Sequence, residues 1–417
     1  MAKKEIYNIE MPGESGKRSR TDGTAGNGRN SRSGRSSANT GADAYNKNHS
    51  GGAQKRSGKG KKMTRSQMKR KRRKRLLIIE VIVLIIVLAF LAVWLKLGKI
   101  SWDDLKNLRV NKLDKETAEL LDGYTNIALF GVDNRSNGNY DTGNSDSIMI
   151  CSINNKTKEV KLISVYRDTS LDVDGDRTFR KCNYAYNHGG PQQAIEMLNR
   201  NLDLNIQKYV SVDFYALAEA VDALGGVQVD ITEDEAYYMN GPSGYIAATA
   251  AVTGATPRNV SVGTQTLDGV QAVAYCRIRY TAGGDFGRAE RQRTILQGMV
   301  AKLGDANIGE LNNLVNAVFD DVGTNMKLNQ IIGMATKMKD YQLVETRGFP
   351  YTMKTSDFGG SLGSLVVPCT LESNVRELHK DLFGNEEMEV SKEVADISQQ
   401  IQNFSGLGEG DALDYGY

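Results

Sequence analysis

The stretch DSIMICSINNKTKEVKLISVYRD, residues 146–168, decides the fold class, because two strand-forming runs flank a turn. The run 146–155 is strand-like, the run 159–168 alternates well enough for a half-buried strand, and Asn154–Lys158 between them predicts a hairpin turn. Just upstream, NIALFGVDN (126–134) is another apolar strand-like run, which ends in Gly131 and Asp133. The sequence therefore predicts neighbouring strands at the start of a folded domain.

Outward from these strands, helical and strand-like segments alternate. Helices are predicted for 191–204, where Pro191 suits a first turn, for 212–226, ending at Gly225–Gly226, and for 290–305, 308–322 and 328–340. Further strands are predicted for 227–231 and for QAVAYCRIRY (271–280), and 236–260 is interpreted as a surface insertion. This alternation predicts an α/β fold, a three-layer α-β-α sandwich with a mixed central sheet.

The N-terminal part has a different composition. Residues 1–75 hold 22 Lys and Arg against 5 Asp and Glu, and 1–60 contain almost nothing apolar to bury, which predicts a disordered basic tail. The apolar run LLIIEVIVLIIVLAFLAVWL follows. Its twenty residues are enough to span a bilayer as a helix. The basic flank predicts a cytoplasmic N-terminus and a single transmembrane helix over 76–96, with the C-terminal domain outside the cell.

That topology bears on the possible partners. A basic run such as KRKRRKR can indicate nucleic acid, but beside a transmembrane helix it is explained by orientation and by contact with anionic membrane lipids. Residues 76–417 carry 31 basic against 45 acidic residues, so no nucleic-acid partner is expected. The four cysteines and three histidines have no spacing suited to zinc, and a disulfide stays open.

Against this acidic background, CRIRYTAGGDFGRAERQR (276–293) concentrates five arginines. In a strand Arg277 and Arg279 would share one face, and at a helix start Arg288, Arg291 and Gln292 would share another. The glycine-rich link could fold the two faces together at a helix N-terminus, where an anion is favoured. The alternative is that these arginines pair with Asp285, Glu290 and water.

Acidic and basic residues also follow the predicted strands. Asp133 ends the first strand with Arg135 beside it, Asp146 precedes the second, and Arg167 and Asp168 end the third. Catalytic groups of α/β folds gather at strand ends. Two carboxylates with an arginine cluster suit Mg²⁺-assisted handling of a pyrophosphate, although each Asp alone is also a common turn or cap residue.

Seven blocks in this order resemble the LytR-CpsA-Psr family. They are NIALFGVDNR, SDSIMICSIN, LISVYRD, KCNYAYNHGG, YVSVDFYALAEAVDALGGVQVDI, LDGVQAVAYCRIRY and DFGRAERQR, and the match covers about 124–304. Tyr166 stands where the family commonly has Pro, which leaves the Arg–Asp pair intact. The resemblance implies a polyprenyl-phosphate glycan phosphotransferase of the bacterial envelope. Such an enzyme moves a glycopolymer, for example a teichoic acid or capsular polysaccharide, from its polyprenyl-pyrophosphate carrier onto peptidoglycan.

The resemblance also implies roles for residues. Asp133 and Asp146 match the family's magnesium-associated aspartates, with Mn²⁺ as an alternative ion. Asp133, Asp146, Arg167, Asp168 and Arg277 are expected to be catalytic. The pyrophosphate-contacting set is expected to comprise Arg135, Arg167, Arg277, Arg279, Arg288, Arg291 and Gln292. The general base stays open among Asp133, Asp146 and Asp168, and Arg293 is expected to be solvated.

The resulting domain plan has five parts. It places a tail at 1–75, a transmembrane helix at 76–96, a connector at 97–123, the catalytic domain at 124–384 and a mobile acidic end at 385–417. Two other functions stay open: hydrolysis of the lipid pyrophosphate, with water as acceptor, and a non-catalytic lipid-binding or regulatory role.

Overall fold

The computed structural model describes residues 101–102, 105, 107–133, 140, 143–307, 309–311, 314, 322–335 and 337–416. The predicted tail, the transmembrane helix, Arg135 and most of the predicted helix 308–322 lie outside these residues. Within them, no helix has the length and apolarity needed to cross a bilayer.

The described residues form a mixed α/β structure. The strands are β1 (Ser101–Trp102), β2 (Tyr124–Val132), β3 (Ser145–Asn154), β4 (Glu159–Val165), β5 (Ser170–Asp172), β6 (Phe179–Lys181), β7 (Lys208–Val212), β8 (Val227–Ile231), β9 (Gly263–Leu267), β10 (Val322–Thr324), β11 (Gln342–Phe349), β12 (Met353–Asp357) and β13 (Ser364–Pro368). The helices are α1 (Lys115–Asp122), α2 (Tyr184–Leu202), α3 (Phe214–Ala223), α4 (Glu233–Met239), α5 (Tyr245–Thr253), α6 (Gly269–Arg277), α7 (Gly284–Asp305), α8 (Leu328–Ala335), α9 (Leu371–Phe383) and α10 (Lys392–Ser405).

The central sheet is mixed, as the sequence predicted. Its strands lie in the order β1-β10-β7-β2-β3-β4-β11, and β2, β3 and β4 are antiparallel neighbours. β7 runs parallel to β2, and β11 runs parallel to β4. The predicted hairpin is confirmed, since the Lys158 N–H donates to the Asn154 carbonyl at 3.0 Å.

Both faces of the sheet carry apolar side chains. On one face, Ala128 and Phe130 of β2 join a core with α2, α9 and α10. On the other, Ile127 of β2 packs with Met326 and with Ile331 of α8. A second core lies among α3 to α7 and the small sheet β8–β9.

The prediction of a strand for 271–280 is wrong. Residues Gly269–Arg277 form α6, whose start is fixed by a capping box in which Asp268 accepts from the Gln271 N–H and Gln271 bonds back. All residues from Gly269 to Cys276 are buried. A short helix buried on every side has no polar face, so its sequence is as uniformly apolar as a buried strand.

Two further predictions are corrected. Residues 236–260 are not a surface insertion, because Met239, Ile246 and Ala250 are buried in the second core. Residues 392–405 are not a mobile end, because they form α10, whose Val394, Ile397 and Ile401 are fully buried in the main core. Apolar residues at i, i+3 and i+7 give this helix a buried stripe despite its polar composition.

Candidate functional site at the sheet edge

Three strands of the central sheet bring charged residues to one edge. β2 and β3 pair Gly131 with Ser147, and β3 and β4 pair Met149 with Ser164. The end of β2, the start of β3 and the end of β4 therefore lie side by side. Asp133, Asp146 and Arg167 follow or begin these strands, so the predicted gathering at strand ends is confirmed.

The junction between α6 and α7 brings the arginines to the same edge. Arg277 is the last residue of α6, and Arg279 lies in the extended link that follows. Gly283 and Gly284 turn the chain into α7 with φ of +86° and +52°, a region that favours glycine. The predicted convergence holds for Arg277, Arg279 and Arg288, although two of them come from a helix end and a loop rather than from a strand.

Asp146 is the centre of the arginine cluster. Its carboxylate accepts from Arg167 Nη1 and from Arg279 Nη2, each at 2.8 Å. Arg288 Nη1 lies 3.7 Å from Asp146 Oδ2, and Arg288 Nη2 donates to the Asp146 backbone carbonyl at 3.0 Å. One carboxylate thus holds three guanidiniums in place.

Asp285 is a second internal counterion, so the alternative that the arginines pair with Asp285 is confirmed for Arg288. It accepts from Arg167 Nε and Nη2 at 3.1 and 2.9 Å, and Arg288 Nη1 lies 3.3 Å away. Its i, i+3 spacing from Arg288 was the available signal. As a carboxylate in the first turn of α7, it also lies where a helix favours negative charge.

Burial and mutual charge shift the pKa values of this cluster. Burial and the neighbouring Arg167 lower the pKa of Arg288 to about 10, against the pull of both carboxylates. Burial alone would lower the pKa of Arg167, but Asp146 and Asp285 raise that pKa above its usual value. Burial would raise the pKa of Asp285, yet Arg288 and Arg167 bring it below the usual range.

Arg288 retains unused donor capacity. Its side chain is 4% exposed, and its Nε and Nη1 form no hydrogen bond within the described part of the chain. A buried donor without a hydrogen bond costs about 1–3 kcal/mol. An anion that reaches these nitrogens would supply the missing acceptor.

A cavity of about 370 Å³, named cavity 1, opens beside the cluster. Asp133, Asp146, Arg277, Arg279, Arg288 and Gln292 contribute to its wall. The remaining lining is mostly apolar and includes Leu129, Met149, Val210, Phe214, Leu217, Val273, Ile295 and Leu296. Cavity 1 therefore joins an apolar chamber to a cationic wall.

Arg277 is held in this wall by two contacts. Its Nη1 donates to Thr249 Oγ1 at 2.8 Å, and its guanidinium lies 4.7 Å from the centre of the Phe214 ring. Thr249 belongs to α5, in the region interpreted from sequence as an insertion. That region therefore helps to orient a predicted catalytic residue.

Arg291 and Arg293 do not join the cluster. Arg291 donates to the Ile278 carbonyl at 2.9 Å and lies 3.5 Å from Glu235 of α4, so it braces the α6–α7 link. Arg293 was expected to be solvated, but it is 7% exposed, and burial lowers its pKa. Neither side chain lines cavity 1.

Asp168 faces a different space, named cavity 2, of about 300 Å³. Its carboxylate lies 3.1 Å from Lys181 and 3.8 Å from Arg167, and burial raises its pKa. The two cavities share Asp146, Ser147, Arg288 and Gln292. The arginine–carboxylate cluster therefore borders both cavities.

The described residues around cavity 1 offer few oxygen ligands for a divalent cation. Asp133 and Asp146 both line cavity 1, but both Asp146 oxygens are engaged by arginines. Among the described residues, no group of three or more His, Cys, Asp or Glu could hold a metal. Mg²⁺ held by two carboxylates needs further oxygen ligands. In proteins that bind phosphates, substrate oxygens commonly complete its coordination shell.

Known proteins resemble this chain in sequence and fold. A polyisoprenyl-teichoic acid–peptidoglycan teichoic acid transferase TagU from Enterococcus faecalis is 30% identical over 262 residues, which are 59% of this chain and 78% of that protein. TagU of Bacillus subtilis is 31% identical over 52% of this chain and 64% of its own length. A structure titled "TagT bound to LI-WTA" superposes with a TM-score of 0.50 at 21% identity, over 69% of this chain and all of that one. The model of the LytR_cpsA_psr family matches residues 94–365, and the chain belongs to that family.

Proposed function

We propose that the protein is a transferase that moves a glycopolymer from a polyprenyl-pyrophosphate carrier to peptidoglycan. One observation carries this proposal: an apolar cavity whose wall holds Arg277, Arg279 and Arg288. A substrate that fits must combine a long apolar tail with an anionic head. The names of the teichoic acid transferases supply the substrate class.

The apolar part of cavity 1 would take the first prenyl units. Its volume lies within the usual range of ligand pockets, roughly 300–1,000 Å³. The diphosphate would lie against the three arginines, because guanidinium forks match phosphate oxygens. Binding would exchange the intramolecular ion pairs of Asp146 for pairs with phosphate.

Positioning and charge neutralisation would then supply most of the rate. A peptidoglycan hydroxyl attacks the phosphorus that carries the glycopolymer, and polyprenyl phosphate leaves with the bridging oxygen. Arg288, buried and with free donor capacity, is suited to neutralise charge that develops on these oxygens. Arg167 holds Asp146 and Asp285 in place.

Mg²⁺, with Mn²⁺ as an alternative, is the proposed cofactor. Asp133 and Asp146 would hold it together with substrate phosphate oxygens, and it would neutralise phosphate charge. To bind the ion, Asp146 would lose one of its two arginine contacts at 2.8 Å. The contact with Arg279 is the one expected to break, because Arg279 is more exposed than Arg167.

The proposed setting is the outer face of the cell membrane. The basic flank and apolar run at 61–96 support a single-pass signal-anchor with a cytoplasmic N-terminus and contact with anionic lipids. The cores on both faces of the sheet support a three-layer α-β-α arrangement for the outer domain.

A labelled lipid-linked glycan, incubated with the full-length protein and Mg²⁺, tests the proposal. Polymer-bound label should appear when peptidoglycan is present, and Arg277→Ala or Asp146→Ala should abolish it while the domain stays folded by circular dichroism. Release of glycan phosphate at the same rate without peptidoglycan would instead establish hydrolysis. Tight lipid binding with no turnover would establish a binding protein, and wild-type rates in both variants would refute the site.

A further inference from the structure

Cavity 2 adjoins cavity 1 at the arginine–carboxylate cluster, where the two share four lining residues. The rest of its lining comes from the start of β3, the end of β4 and the residues that follow it, the start of α7 and the hairpin β12–β13. We propose that cavity 2 receives the acceptor sugar of the transfer reaction. This inference rests on the proposed function and adds the place from which the second substrate arrives.

The direction of attack is the first argument. In a phosphoryl transfer the attacking and leaving oxygens are roughly in line across the phosphorus. With the prenyl chain in cavity 1, the leaving polyprenyl phosphate departs toward that chamber. The attacking hydroxyl must then approach from outside cavity 1, and cavity 2 is a second chamber that the same cluster lines.

The lining of cavity 2 is the second argument. Its apolar lining is shorter than that of cavity 1, and it adds Ser164, Thr355 and Ser364, whose side chains carry hydroxyls, and Phe286. Hydroxyls and an aromatic face are the groups that a sugar needs, since its hydroxyls form hydrogen bonds and its C–H face packs on a ring. A second prenyl chain would leave these hydroxyls unpaired.

An unused polar group gives independent support. Ser164 is 2% exposed, and its Oγ is buried without a hydrogen-bond partner in the described part of the chain. Buried polar groups are normally paired. A ligand hydroxyl in cavity 2 would provide the missing partner.

The proton of the attacking hydroxyl also needs an acceptor in this chamber. Asp146 and Asp285 each contact two or more guanidiniums, whereas Asp168 contacts Lys181, the carboxyl group of Asp285 and, at 3.8 Å, one guanidinium, that of Arg167. The acceptor oxygen forms the new bond to phosphorus, the bridging P–O bond breaks with its electron pair on polyprenyl phosphate, and the proton passes to Asp168. Water then takes the proton from Asp168.

Obstruction of each chamber tests the inference. Thr355 is exposed on β12 and lines cavity 2, so Thr355→Trp should raise the KM for peptidoglycan strands about tenfold or more. The Kd for polyprenyl pyrophosphate, measured on the full-length protein without peptidoglycan, should stay unchanged. Leu217→Trp, in cavity 1, should weaken that lipid binding instead.

Ser361→Trp is the matched control, because Ser361 is exposed in the turn of the same hairpin and lines neither cavity. It should change neither constant. Ser364→Tyr is a second obstruction of cavity 2, used if Thr355→Trp unfolds. An unchanged acceptor KM in a folded obstructed variant, or an equal loss of lipid binding, would overturn the inference. Failure of wild-type transfer would instead refute the proposed function on which it rests.

Discussion

Arg288 and Arg291 lie one turn apart on α7 and are 4% and 6% exposed, yet their guanidiniums have different surroundings. Arg288 reaches between the two cavities, is repelled by Arg167 and keeps two nitrogens without hydrogen bonds in the described structure. Arg291 reaches toward α4, where it meets the Ile278 carbonyl and Glu235. Burial is therefore similar, but Arg288 keeps two nitrogens without a hydrogen bond in the described structure and Arg291 keeps one, its Nε.

This difference distinguishes an arginine that binds a ligand from one that only stabilises the fold. A structural arginine finds its acceptors within the fold, because an unpaired buried charge is costly. An arginine that serves a ligand is stabilised only partly before the ligand arrives. The pairs of Asp146 and Asp285 therefore neutralise part of the arginine charge and leave donor capacity for an anion.

The largest expected effect follows from replacing Arg288. Arg288→Met should lower the transfer rate on the order of 10²- to 10³-fold, the usual cost of removing one donor to a developing oxyanion. The free energy of unfolding should fall by no more than about 2 kcal/mol, because the loss of the hydrogen bond to Asp146 O and of the ion pair with Asp285 is partly offset by relief of the repulsion from Arg167. Transfer assays and urea unfolding of the same preparations measure both quantities.

Arg258→Met is the control for this variant, since Arg258 is 70% exposed in its pair with Asp268 and lies outside both cavities. It should leave the transfer rate unchanged. A folded Arg288→Met protein that transfers at the wild-type rate would contradict the assignment of Arg288 to the anion site.

A smaller effect, of the opposite kind, is expected for Arg291. Arg291→Met should lower the free energy of unfolding by about 2 kcal/mol, because Ile278 O and Glu235 lose a buried partner. The transfer rate per folded molecule should remain close to that of the wild type. Arg376→Met, which removes an exposed i, i+4 pair with Glu372, should change stability by less than about 0.5 kcal/mol.

A loss of transfer without loss of stability in Arg291→Met would reverse the comparison. It would place Arg291 in the pyrophosphate site, as the sequence analysis expected. The assay must therefore be run at a temperature where both proteins are folded, so that the rate reports on chemistry alone.

The different roles of these arginines could not be predicted from the sequence, and the reason is physical. Arg288 and Arg291 share one side of a helix, but the acceptor that each reaches depends on α4 and on the α6–α7 link. α4 is distant in sequence, and the segment that forms α6 was predicted to be a strand. Arg293, expected to be solvated, is buried near Tyr166 for the same reason. Helical spacing fixes relative direction and says nothing about what lies opposite.

The strand ends were predictable, because antiparallel pairing of neighbouring runs brings Asp133, Asp146 and Arg167 to one edge. Local turn and strand signals were enough for that inference. The role of Asp285 was not predictable from charge counting alone. It follows from the register of α7 against β4, a tertiary contact that places its carboxylate on Arg167.

The smallest effect concerns Asp285 and depends on pH. Arg288 and Arg167 hold the pKa of Asp285 below its usual value of 3.8, so its ion pairs stabilise the folded state above that pH. Asp285→Asn should therefore be less stable than the wild type at pH 7, by about 1 kcal/mol given its partial exposure. As the pH falls from 3.8 through the lower pKa of the folded state, protonation of Asp285 in the wild type progressively removes the advantage, and the two unfolding free energies should converge. Urea unfolding at pH 7 and near pH 3 measures the difference, and Asp396→Asn, an exposed carboxylate on α10, should show none at either pH. A stability gap for Asp285→Asn that persists or grows in acid would mean that packing, rather than the arginine pairs, explains its contribution.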